Sequence, residues 1–292
     1  MMNSKVAFAL VPSFFVFTLS VVRAESAPDE KSVLILADTI GPTSPSLEES
    51  VVVALGYTVV VVDATTWGAM TTVDFSSYQA VVLGDKSCGG FGTSPWLDAA
   101  LNNRTVWSLA VTGNIVVIGT DPTYHSSFWA GGLLFAPYAD GDQLAESGIA
   151  FAAAGSKTGL YLTLSCYYHG VSPLTPVPIL DQFGLFTVTG VGCYNNSHIV
   201  AVHPVLDGLV DDSSLSNWGC SVHEAFDSFP SDWSPIAIAK GLGGHGYRRF
   251  ADGSRGLPYI IVRDEDPALG TLKICTSHDM RKSGPYKSTK CP

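Results

Sequence analysis

The sequence predicts a doubly wound α/β protein, with a mostly parallel sheet sandwiched by helices. Three observations carry this. Four short runs are apolar on both faces, helix-length segments with capping signals separate them, and the 292 residues are 46% hydrophobic but only 14% charged. Strands buried on both faces belong to parallel sheets covered on both sides, and right-handed crossovers then place helices on each side.

The elements follow in order. Val33-Leu34-Ile35-Leu36-Ala37 is the first buried strand, and Gly41, Pro42 and Pro45 mark a loop. Ser46-Leu47-Glu48-Glu49 has the spacing of a capping box, and Gly56 stops the helix it opens. Residues 57–62 are a second strand and 79–84 a third. Ser94-Pro95 supplies an N-cap and first-turn pair for a helix reaching Thr112, and residues 114–119 are the fourth strand. Beyond it, residues 143–168 read as one helix or two, loosened by Gly148, Gly155 and Gly159, and Pro173, Pro176 and Pro178 form a stiff connector. Residues 183–191, 235–239 and 259–263 are strand candidates that extend the sheet or form a hairpin, and the glycine- and arginine-rich stretch 241–256 reads as a surface loop.

The organisation is a leader, a linker, one domain and a tail. Lys5, an apolar run from Val6 to Val22 broken by Pro12, and Ala24 have the layout of a signal peptide covering residues 1–24. Residues 25–32 form a linker, 33–270 a single α/β domain and 271–292 a polar C-terminal tail. The run is short of the ~20 residues a span needs, so no membrane span is expected after cleavage. Secretion places Cys88, Cys166, Cys193, Cys220, Cys275 and Cys291 in an oxidising compartment, where an even count implies disulfides whose pairing the sequence leaves open. A local Cys275–Cys291 bridge would tether the tail. Asn103 and Asn195 head glycosylation sequons. A formal net charge of −10 argues against nucleic acid and against anionic membranes as partners.

The chemistry gathers at the strand ends. Each of the first four strands runs into an aspartate: Asp38, Asp63, Asp85 and Asp121. Ligands of open parallel sheets bind outside the carboxyl ends of the strands. With a 2-1-3-4 strand order, Asp38, Asp85 and Asp121 become neighbours able to bind a ligand or hold Ca²⁺ or Mg²⁺. The competing reading is that these residues cap the following helices.

Gly119-Thr120-Asp121-Pro122-Thr123-Tyr124-His125 follows strand four. Here the layout of residues 33–125 resembles the class I glutamine amidotransferase-like superfamily, which implies a flavodoxin-like sheet with a sharp elbow after this strand. The nucleophilic cysteine that the family's amidases carry in the elbow has Thr120 or Asp121 in its place, so the resemblance implies no glutamine hydrolysis. His203-Pro204-Val205-Leu206-Asp207-Gly208-Leu209 is similar to a segment of the trehalose-utilisation-like branch, with Glu224 matching its later acidic residue. The triad spacing differs, because His223 and Glu224 are adjacent, and neighbours on a strand face opposite ways.

His125 and His223 are the candidate proton-transfer partners of a catalytic Asp121, with Glu224 a candidate ligand contact. His203, before a proline, reads as a turn residue. Cys88, in a glycine loop, reads as a disulfide half-cystine or a nucleophile. Of Trp67, Trp96, Trp129, Trp218 and Trp233, an exposed member would suit sugar stacking. Two functions follow: a secreted, disulfide-bonded glycoprotein that binds an extracellular carbohydrate or protein, or a secreted hydrolase-like or lyase-like enzyme acting at an acidic, metal-binding rim. Loss of the elbow cysteine favours the binding protein.

Overall fold

The computed structural model describes residues 31–41, 44–84, 95–126, 139–209, 211–216 and 218–266. The leader, the tail, and with them Asp85, Cys88, Trp129, Cys275 and Cys291, lie outside the described residues.

Five strands form the parallel part of the main sheet: β1 (Ser32–Leu36), β2 (Thr58–Val62), β3 (Ala80–Leu83), β4 (Ile115–Ile118) and β5 (Gly159–Thr163). Their side chains alternate between two cores. Val33 and Ile35 of β1 enter one, Leu34 and Leu36 the other. Both cores are buried because both faces are covered, as the continuous apolar runs require. Helices α1 (Leu47–Ala54), α2 (Ala64–Ala69), α3 (Thr72–Ser76), α4 (Asp98–Asn102), α5 (Arg104–Ala110) and α6 (Ala139–Ala153) complete the layers. The capping box at α1 is formed: the Glu49 amide donates to Ser46 Oγ, and the Ser46 amide to the Glu49 carboxylate. The helix expected to reach Thr112 is instead a 3-10 turn, Pro95–Leu97, followed by α4 and α5, divided at Asn103.

Strand order corrects the sequence reading. Residues 143–168 are not all helical: α6 ends at Ala153, and Gly159-Leu160-Tyr161-Leu162-Thr163 is a fully buried strand. The four residues Leu160 to Thr163, bounded on one side by Gly159, are too few for another amphipathic helix, and their burial against β3 and β4 stabilises the extended form. The order is β2-β1-β3-β5-β4, so β5 separates the ends of β3 and β4 that a 2-1-3-4 order would have made neighbours.

The sheet continues antiparallel. After β6 (Thr175–Pro176), β7 (Thr187–Tyr194), β8 (Ser197–Ile199) and β9 (Val222–Ser228) come β10 (Ser234–Lys240), β11 (Arg248–Arg249) and β12 (Arg255–Arg263). β12 pairs with β4, β10 with β12, and β8 with β10. The stretch expected as a surface loop carries β11, paired to β12. A second sheet, β6-β7-β9, lies off this path, and the Cys193–Cys220 disulfide joins the end of β7 to the approach to β9. Cys166 is also disulfide-bonded, with its partner outside the described residues. No described helix is long and apolar enough to cross a membrane.

Two glycines bring the second sheet and α6 onto the end of β4. The His223 amide donates to the Gly119 carbonyl at 3.1 Å, and a Cβ on Gly119 would stand 2.4 Å from the Glu224 carbonyl oxygen. A Cβ on Gly141 would stand 2.4 Å from the His125 carbonyl. Only hydrogen fits at either position, so β9, α6 and the turn after β4 close on one another.

Candidate functional site

The turn after β4 is one helical turn, in which the His125 amide donates to the Asp121 carbonyl. Four residues apart, Asp121 and His125 therefore share a side, and His125 Nε2 stands 3.2 Å from Asp121 Oδ1. The same oxygen meets His223 Nε2 at 2.8 Å, delivered by β9, and Thr120 Oγ1 at 3.3 Å. Asp121 is 0% exposed, His223 1% and His125 6%. One donor atom from each lies within 4.8 Å of the other two.

The array extends outward. His223 Nδ1 faces His169 Nδ1 at 3.1 Å, and His169 is half-buried. It stands at the end of the turn after β5. The Leu164 amide donates to the Ile118 carbonyl, Tyr167 back to Leu164, and His169 to Cys166. Within that turn Ser165 is buried at φ 51°, a left-handed conformation that is uncommon for a residue with a side chain and is often held at functional sites. Cys166 Sγ lies 3.4 Å from Asp121 Oδ2. A second buried carboxylate reaches the turn after β4 from α1: Thr123 Oγ1 donates to Glu48 Oε1 at 2.8 Å. Trp218 walls the site, its ring 5.6 Å from that of His125.

Charge in the array is set by burial against contact. Burial alone would push the Asp121 carboxyl up, but the contacts with His125 and His223 hold it below the usual carboxylate range. Burial, then the neighbouring His223, pulls His169 down despite the opposing effect of Asp121, so His169 favours the neutral form. An anionic carboxylate thus faces imidazoles that can carry, pass or give up a proton.

Comparison with protein-family models, with curated proteins and with solved structures finds no match. The site is therefore read from its own residues.

Of the residues singled out in the sequence, Asp121, His125 and His223 come together. Asp38 does not join them. It is half-buried on the 3-10 turn Ala37–Thr39 and lines a separate cavity of about 490 Å³ with Asp98, Asn102 and Asn103. Among the described residues the group able to hold a metal excludes it. With β5 inserted in the order, the expected cation site of Asp38, Asp85 and Asp121 loses the strand adjacency on which it rested. Asp63 caps α2 by accepting from the Thr66 amide, the capping alternative in full.

Glu224 is buried on β9 next to His223 and lies close enough to Tyr168 to help burial push that phenol up. His203 caps the 3-10 turn Pro204–Leu206, as a turn residue would. Pro204 and Asp207 line a cavity of about 970 Å³, together with Asn114 and Lys157 at the amino ends of β4 and β5. The His203 segment thus belongs to the opposite edge of the sheet from Asp121. Trp67, Trp218 and Trp233 are buried and Trp96 half-buried, so none of these offers the open ring that sugar stacking needs. The side-chain amides of Asn103 and Asn195 donate to the carbonyls of Trp67 and Gly219. Both sequon nitrogens are engaged in the fold.

The sequence singled out neither His169 nor Ser165, and it pointed to Cys166 only as a half-cystine, not as a neighbour of Asp121. The signal was present: a short apolar run ending in Thr163, followed by a polar turn, repeats the pattern of the other parallel strands.

Proposed function

We propose that this chain is a secreted, hydrolase-like enzyme whose acid–base centre is Asp121–His223–His169, with His125 as a second proton partner. One observation carries the reading. A fully buried carboxylate orients a buried imidazole, whose other nitrogen meets a half-buried histidine, all at the carboxyl end of a parallel sheet. A buried acid that fixes one nitrogen of a histidine leaves the other to take a proton from a hydroxyl or water. His169 then links that nitrogen toward the surface. The layout supports kinship with amidotransferase-like folds, with the elbow cysteine replaced and the acid–base work moved to histidines. The signal-peptide pattern and the disulfides support secretion.

The test is hydrolysis of a panel of chromogenic esters, amides and glycosides by the mature chain and by His223→Gln. General acid–base catalysis typically contributes about 10²–10⁴-fold, and the variant is expected to lose that much. Turnover untouched by His223→Gln, or no turnover of any member of the panel by the unaltered chain, overturns the reading in favour of a binding protein.

A further inference from the structure

We infer that Asp121, His125 and His223 form a binding site for a borderline divalent transition-metal ion, with His169 as the outer partner of the His223 ligand. This rests on the same cluster being the reactive centre and names what it holds. Asp121 Oδ1 receives two imidazole Nε2 atoms, at 2.8 and 3.2 Å. Ligands placed about 2.1 Å from one zinc at tetrahedral angles stand about 3.4 Å apart, and one donor atom from each of the three residues already lies within 4.8 Å of the other two, so modest shifts of the two rings admit an ion. The donor set is two nitrogens and one oxygen. That suits Zn²⁺ and its neighbours, whereas Ca²⁺ and Mg²⁺ prefer oxygen. All three ligands are at most 6% exposed, and a buried carboxylate is stabilised by a cation at contact. Among the described residues the protein supplies three ligands, a set that leaves a coordination position for water, and a zinc-bound water is a far stronger acid than a free one.

The second contact of His223 supplies independent support. A metal-bound histidine almost always donates its other ring N–H to a fixed partner, and His223 Nδ1 has one in His169 Nδ1 at 3.1 Å. The proton positions follow from that geometry. Without an ion and with neutral rings, His223 keeps its proton on Nε2 facing Asp121, so His169 carries its own on Nδ1. An ion takes the Nε2 lone pair of His223. Its proton then moves to Nδ1 and donates to His169, whose proton moves to Nε2. Ion binding therefore switches the tautomer of a residue that does not touch the ion.

The experiment uses the full mature chain, stripped with chelator and titrated with Zn²⁺ at pH 8. Calorimetry reads the binding, and long-range ¹H–¹⁵N spectra read the histidine tautomers. One equivalent of Zn²⁺ is expected to bind and to move the His169 proton from Nδ1 to Nε2. Asp121→Asn, His125→Gln and His223→Gln should each abolish tight binding. His169→Gln should keep the stoichiometry and weaken binding about 10–100-fold. Absence of Zn²⁺ binding to the unaltered chain, binding that survives in the His125→Gln/His223→Gln double variant, or an unmoved His169 tautomer overturns the inference. The tautomer readout needs no variant, so a misfolded substitution cannot hide the answer. Hydrolysis that resists the chelator yet falls in His223→Gln would sink the metal and leave the acid–base reading standing.

Discussion

Histidine meets aspartate in two assemblies of this molecule, and one is the inverse of the other. At the end of β4, one carboxylate, Asp121, is shared by two imidazoles and is fully buried. At the far edge of the sheet, one imidazole is shared by two carboxylates: His198 of β8 meets Asp212 through Nδ1 and Asp252 through Nε2, each at 2.6 Å. Lys240 Nζ stands 3.7 Å from Asp212 and 3.5 Å from His198 Nδ1. A ring with a carboxylate at both nitrogens needs both protons, so His198 is held as a cation. Its partners come from the turn before β9 and from the β11–β12 turn, which it fastens to an edge strand. Its ring has no nitrogen lone pair left to offer, and the assembly acts as a clasp. In the buried one, two ring nitrogens donate to a single carboxylate, and protons or a cation can exchange among those three groups. Residue types alone do not distinguish the two; the ratio of imidazole to carboxylate and the burial do.

The largest expected break in this contrast is Asp121→Ala. It leaves two buried histidines facing a void, and removing one member of a buried charged group costs about 3–5 kcal/mol. Chemical denaturation should show that loss together with loss of any hydrolytic activity. Gly119→Ala comes next. Its Cβ meets the Glu224 carbonyl at 2.4 Å, so β9 must move, at a cost of about 1–3 kcal/mol for overpacking. The displacement should also part His223 from Asp121, readable as a changed His223 ring shift in NMR spectra.

The clasp should respond more weakly, and with pH. Burial pulls His198 down, but hydrogen bonds to Asp212 and Asp252 outweigh it and raise the ring above its ordinary 6.5. A raised folded value means that the stabilisation is fully present below 6.5 and is lost as pH rises through the folded value. Burial works upward on Asp252 too, but the hydrogen bonds from Ser254 and His198 lower it to about 2, so its share fades as pH falls from 3.8 toward that value. The clasp is therefore strongest between the two ordinary values. Both carboxylates are 39% exposed, which limits its worth to about 0.2–1 kcal/mol. Thermal melts should show His198→Gln below the unaltered chain at pH 6 and level with it at pH 9. The smallest effect belongs to Asp38→Asn, outside both assemblies, which should leave melting and Zn²⁺ affinity unchanged in the same assays.

Much of this was legible in the chain. The strands β1 to β4 announce themselves because burial on both faces demands uninterrupted apolar residues, and the α1 capping box is a local pattern. Asp121, His125 and His223 were visible as types, the first two because they follow the fourth strand. What stayed hidden was long-range. Gly148, Gly155 and Gly159 made residues 143–168 resemble one loosened helix, and with β5 misassigned the strand order failed and His169 had no place. The pairing of His223 with Asp121 depends on β9 packing against Gly119, a contact between residues far apart in sequence that no periodicity encodes. Asp63 and Asp121 end similar strands yet do different things, because one faces a helix amide and the other two buried rings.

The most direct test of the central claim, that β4, β5 and β9 build one ion-competent centre, is anomalous diffraction from a crystal of the protein soaked in Co²⁺. One strong peak is expected within coordination distance of Asp121 Oδ1 and the Nε2 atoms of His125 and His223, with His169 still facing His223. Cobalt found only at surface carboxylates such as Asp38, with the buried cluster empty, would contradict it.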